Sequence, residues 1–179
     1  MIDSVKNIFR RKKLKKFASD VPTGFIPLSE VSSVNVLVDV EEPGFDVLRQ
    51  DILAWGRSIN AKVNIYFFDF RKLGKDELLL TSIQTTIIKK ELDWLGTPEF
   101  SKIGALLYEP SDLFISMVDN GNFPIEFVSR CCKARFKIGR CGFEGHAYDM
   151  VMIGNPTEEL RSDSRQIFKA ITDFLTKIR

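Results

Sequence analysis

The sequence predicts an α/β protein: a three-layer, Rossmann-like domain with a predominantly parallel sheet of about five or six strands and helices on both faces. Two observations predict it. Residues 34–40, 63–69 and 112–118 are apolar and β-branched or aromatic nearly throughout, the pattern of strands covered on both faces. Between them lie segments whose apolar residues recur every three or four positions, as on a helix that covers a sheet.

Residues 34–40 form the first core strand, and Glu42-Pro43-Gly44 ends it. Phe45, Leu48, Ile52, Trp55 and Ile59 then fall on one helical stripe, and residues 63–69 supply a second strand. Residues 33–69 therefore make a βαβ unit with a right-handed crossover. Residues 71–97 read either as a helix and a short strand or as a hairpin, closed by a loop at Trp94-Leu95-Gly96-Thr97-Pro98. Residues 98–107 predict a short helix with Phe100, Ile103, Leu106 and Leu107 inward, followed by the strand at 112–118. Pro124 suits the start of a helix that buries Ile125, Val128 and Cys132. Residues 134–140 alternate, with Arg135, Lys137 and Arg140 largely on one side, which meets water or a helix end, as near a sheet edge. Residues 148–153 read as the last strand. Asn155, Pro156 and Glu158 carry start signals for a closing helix that buries Leu160, Ile167, Phe168, Ile171, Leu175 and Ile178.

With 179 residues, 44% of them hydrophobic and 15 of them Phe, the chain can bury one proper core. Residues 21–179 are read as that single domain and residues 1–20 as a basic N-terminal segment. No uninterrupted apolar run reaches the ~18 residues that a spanning helix needs. Three cysteines, Cys131, Cys132 and Cys141, make too odd and sparse a set for a disulfide framework, which suggests a reducing, cytoplasmic setting.

The net charge of +2 is unevenly distributed. Lys6, Arg10, Arg11, Lys12, Lys13, Lys15 and Lys16 stand against Asp3 and Asp20, so residues 1–20 carry +5 and the other 159 carry −3. The seven basic residues are the candidates for contact with an anionic surface, lipid at the inner membrane face or nucleic acid. Such contact would be electrostatic and salt-sensitive. Projected at about 100° per residue from Val5, Ile8 and Phe9 fall beside Val5 while Leu14 and Phe17 fall on the opposite side, so no single apolar face emerges. A solvated tail, or a helix packed loosely on the domain, is the corresponding structural expectation.

In a parallel sheet, ligands bind beyond the carboxyl ends of the strands. Asp39 and Glu41 follow the first strand, Asp69 and Arg71 the second, and Asp119, Asn120 and Asn122 the strand at 112–118. These seven are the ligand-rim candidates. The Asp39-Val40-Glu41 run is followed by Glu42-Pro43, without the hydroxyl residue that phosphate-transfer domains place there. Gly139, Gly142 and Gly145 have the wrong spacing for a dinucleotide fingerprint and read as a loop. Cys132, Cys141 and His146 lack the paired spacing and fourth donor of a zinc site, and a Cys141–His146 nucleophile pair rests on proximity in sequence alone. No metal or cofactor is called from these patterns.

The run Asp112-Leu113-Phe114-Ile115-Ser116, then a helix, then Ala134-Arg135-Phe136-Lys137-Ile138-Gly139 resembles the third strand, helix and fourth strand of the N-terminal Rossmann-like domain of heptosyltransferase-type glycosyltransferases. The whole chain resembles an uncharacterised bacterial family of about this length. The resemblance implies a Rossmann-like fold and assigns no function. Two functional readings follow. One is a non-catalytic binding or scaffold domain, located at an anionic surface by its basic segment. The other is a small enzyme, or a remnant of one, acting on a phosphorylated or nucleotide-like ligand at the C-terminal edge of the sheet.

Overall fold

The computed structural model describes residues 2–72, 78–153 and 163–178. In chain order its elements are α1 (Ile2–Phe17), β1 (Ser33–Asp39), α2 (Phe45–Ser58), β2 (Lys62–Asp69), β3 (Thr86–Ile88), α3 (Phe100–Tyr108), β4 (Ser111–Ser116), α4 (Phe123–Cys131), β5 (Ala134–Gly139), β6 (Met150–Val151) and α5 (Ser164–Leu175). The six strands form one sheet in the order β3-β2-β1-β4-β5-β6. Every pairing in it is parallel. The chain winds outward in one direction from β1 and in the other from β4, so the topological switch lies between those two strands.

The continuous apolar strands arise because each sheet face has its own core. Val34, Val36 and Val38 of β1 join Leu113, Ile115, Phe136 and Ile138 against α2 and α5. Leu37 and Phe114 point the other way, to Ile103 and Leu106 of α3 and Phe127 and Val128 of α4. Successive residues of one strand are thus buried on opposite faces, as the pleat dictates. The long α1 adds a partial further layer outside α4, and its Leu14 and Phe17 reach the second core.

Three expectations change. Residues 134–140 do not lie at the edge: β5 sits between β4 and β6, and Lys137 and Arg140 are buried although Arg135 is exposed. Lys137 Nζ donates to the Ser129 and Arg130 carbonyls at 3.1 and 3.4 Å, closing the last turn of α4. Gly139 belongs to β5 rather than to a loop. A Cβ there would stand 2.2 Å from Cε2 of Tyr148, whose ring lies across the strand. Of the alternatives for 71–97, the described residues show a short strand and no hairpin: β3 is an edge strand parallel to β2, followed by a 3-10 turn at Lys89–Glu91. The strand expected over 148–153 contracts to β6. The closing helix α5 is capped by Asp163, whose carboxylate accepts from the Arg165 N–H at 3.1 Å. The start signals at Asn155, Pro156 and Glu158, and Leu160, lie outside the described residues.

Candidate functional site

The rim beyond the strands brings some of the predicted residues together. Asp39 and Asp69 end adjacent strands, and Glu41 and Glu42 crowd the same corner. Burial raises the pKa of Asp39 and the neighbouring carboxylates add to this, against a lowering hydrogen bond from the Glu41 N–H at 2.9 Å. Asp69 is buried and holds Arg71 in a two-pronged pair, at 2.8 and 2.7 Å. Asp119 is joined to this corner through Arg140, 3.6 Å away, which also pairs with Glu42. The Asn120 side chain accepts from the Asn122 N–H at 3.3 Å, and Asn122 stands at the start of α4 without a side-chain cap bond.

Sequence reasoning missed Arg140 as a rim residue. Its side chain is 3% exposed and spans the switch crevice. It pairs with Glu42 of the β1 loop and Asp119 of the β4 loop, and donates to Ser164 Oγ of α5 at 2.7 Å. One buried cation therefore ties two loops to the start of α5 where this fold ordinarily receives a ligand. Carboxylates outnumber cations along the rim, where Arg71 is paired with Asp69, so a phosphorylated ligand there would meet like charge unless a cation accompanied it. Among the described residues, no three carboxylate, thiol or imidazole groups converge as a metal site requires. Burial pushes the Cys131 and Cys132 thiols up to about 12, the state of inert core cysteines. Cys141 donates to the Gly142 carbonyl, and among the described residues no hydrogen bond joins it to His146.

The basic segment is an ordered helix with two working faces. Inward, Arg10 Nε donates to the Leu95 carbonyl at 2.7 Å while its guanidinium lies 4.4 Å over the Phe123 ring. Lys13 pairs with Asp93 at 2.6 Å, and Phe17 meets Phe100 edge-on at 4.9 Å. The receiving loop is shaped for this: Asp93 also accepts from the Leu95 and Thr97 N–H groups at 2.9 and 2.8 Å, and Gly96 turns at φ 88° directly beneath Arg10. Of the seven anionic-surface candidates, then, Arg10 and Lys13 face the domain and Lys6 is half-buried. Arg11, Lys12, Lys15 and Lys16 are exposed.

Outward, the same helix shows Val5 (47% exposed), Ile8 (54%) and Phe9 (45%), and Trp94 (64%) meets Phe9 edge-on at 5.7 Å. The apolar groups that split in projection have separate destinations: Leu14 and Phe17 go into the core, whereas Val5, Ile8 and Phe9 go to solvent beside four cations. On the flank of α1 away from Trp94, a cleft of about 1230 Å³ opens toward the 142–149 loop. Arg11, Lys15, His146, Phe143 and Tyr148 are in its lining.

No helix in the described residues is long and apolar enough to cross a membrane. No curated protein and no solved structure matches the chain. Residues 6–173 match a family of unknown function (DUF6913), and the chain belongs to that family.

Proposed function

We propose that the protein is a non-catalytic binding domain that docks on an anionic membrane surface through the outward face of α1. The observation that carries this reading is the pairing of Val5, Ile8, Phe9 and Trp94, all exposed, with Arg11, Lys12, Lys15 and Lys16 on the same helix and loop. A helix lying in the interface buries its apolar face among the lipid head groups while its cations meet anionic lipid. Tryptophan favours that depth.

Magnitudes show why both parts are needed. Four cations near an anionic leaflet contribute roughly 4 kcal/mol together, which alone gives a dissociation constant of about 1 mM. Inserting the exposed apolar surface, at about 25 cal/mol per Å² buried, supplies the remainder. The −3 charge of residues 21–179 turns the rest of the molecule away from the membrane and so orients the contact. Nucleic acid would use the cations but gain little from exposed Val5 and Ile8, which favours lipid.

Flotation with phosphatidylcholine vesicles, with and without phosphatidylserine, tests the reading. The protein should float only with the anionic vesicles, and less as salt rises. Absence of flotation at low salt would refute membrane docking, and retention by single-stranded RNA alone would move the function to nucleic acid.

A further inference from the structure

We propose that the cleft between α1 and the 142–149 loop is a binding site for a phosphomonoester group. This goes beyond membrane docking, because the group could come from a lipid head group or from a soluble molecule. Two cations of α1, Arg11 and Lys15, line it together with His146 of the 142–149 loop, the only histidine of the chain. The deeper cations are engaged within the domain. Arg130 Nε pairs with Glu126 at 2.8 Å and its Nη2 donates to the Glu144 carbonyl, while Lys137 closes α4. Asp149 accepts from the Thr23 hydroxyl and the Lys137 N–H. Arg11 and Lys15 have no ion-pair partner among the described residues, and of the two exposed carboxylates in the lining, Glu144 and Asp149, the second is engaged by Thr23 and the Lys137 N–H.

Two unmatched cations fit a group carrying about −1.5 to −2 charges, as a phosphomonoester does near neutral pH. A guanidinium fork, an ammonium and an imidazole N–H suit its three terminal oxygens. The volume far exceeds a bare phosphate, and Leu14, Phe143 and Tyr148 give apolar wall for the glycerol, sugar or nucleoside that carries the group.

The test uses the full chain and two probes. Titration of glycerol 1-phosphate, followed by calorimetry with glycerol as control, should show saturable binding. His146→Ala and Lys15→Ala should each weaken it at least fivefold while circular dichroism stays unchanged; both positions are exposed. In parallel, flotation compares phosphatidic acid with phosphatidylserine vesicles at equal surface charge. Preference for phosphatidic acid, lost in His146→Ala, identifies the lipid source; binding of the soluble probe without that preference identifies a soluble one. Binding that survives both substitutions unchanged overturns the site. So does the combination of no binding to glycerol 1-phosphate and equal flotation with the two lipids, which leaves membrane docking intact. If neither vesicle floats the protein, membrane docking fails and the soluble probe alone decides the cleft.

Discussion

Gly139 and Tyr148 show how a single atom matters in this sheet. The Tyr148 ring occupies the space a β-carbon would need, and its hydroxyl is 2.6 Å from Ser129 Oγ, so the ring cannot swing away without breaking that bond. Gly139→Ala should lower stability by about 2–3 kcal/mol in chemical denaturation, the usual cost of overpacking a rigid core. Asp112 gives a pH-dependent counterpart. Desolvation pushes its pKa up, but the Ser32 N–H and hydroxyl, the Ser33 hydroxyl and Arg135 outweigh that and hold it at about 2. Because the folded value lies below the ordinary 3.8, the stabilisation is present above about pH 4 and is lost as pH falls toward 2. Asp112→Asn should therefore cost about 2 kcal/mol at pH 7, and its deficit against the parent chain should close between about pH 4 and pH 2. Lys137 and Arg140 mark the limit of reading by pattern at this scale. Alternation puts them on a face that meets water or a helix end; which of the two depends on partners that pattern cannot see, the open carbonyls of α4 and a carboxylate 98 residues away.

Among the elements, the β-strands and sheet-covering helices were legible because burial on both faces leaves unbroken apolar runs and a 3.6-residue stripe. β3 was legible as a strand but not in its pairing, since three residues carry too little pattern to separate a hairpin partner from the parallel edge strand it forms beside β2. For the first segment a tail or a helix were both open, and the docking of the helix escaped for another reason. Its two apolar groups look incoherent until the domain provides Phe100 and Phe127 as a floor for one of them. Phe17→Ala should lower stability by about 2 kcal/mol, less than a fully buried Phe because Phe17 is only half-buried. Asp93→Ala removes both the Lys13 pair and the acceptor that shapes the receiving loop, so hydrogen exchange along α1 should accelerate at least tenfold while β1 and β4 keep their protection. Unchanged exchange in α1 would mean that the loop does not hold the helix.

Across the whole molecule, strand direction and the one-sheet architecture follow from the repeated strand-helix pattern, and the sheet order places the switch point between β1 and β4. The candidate site was only half legible. The sequence pointed to the rim and to the basic segment, but not to Arg140 at the switch or to the apolar-and-basic face that α1 keeps outside. That face exists only because half of the helix is tied down, which leaves Val5, Ile8, Phe9 and Trp94 on a rigid platform opposite an acidic body. The chain has two tryptophans, and Trp55 packs edge-on against Phe168 at 5.7 Å on the other side of the sheet, so Trp55→Phe leaves Trp94 as a single reporter. With phosphatidylserine-containing vesicles, Trp94 emission should shift to the blue and be quenched by lipids brominated on their acyl chains. Emission that neither shifts nor quenches when those vesicles are added would contradict insertion of this face.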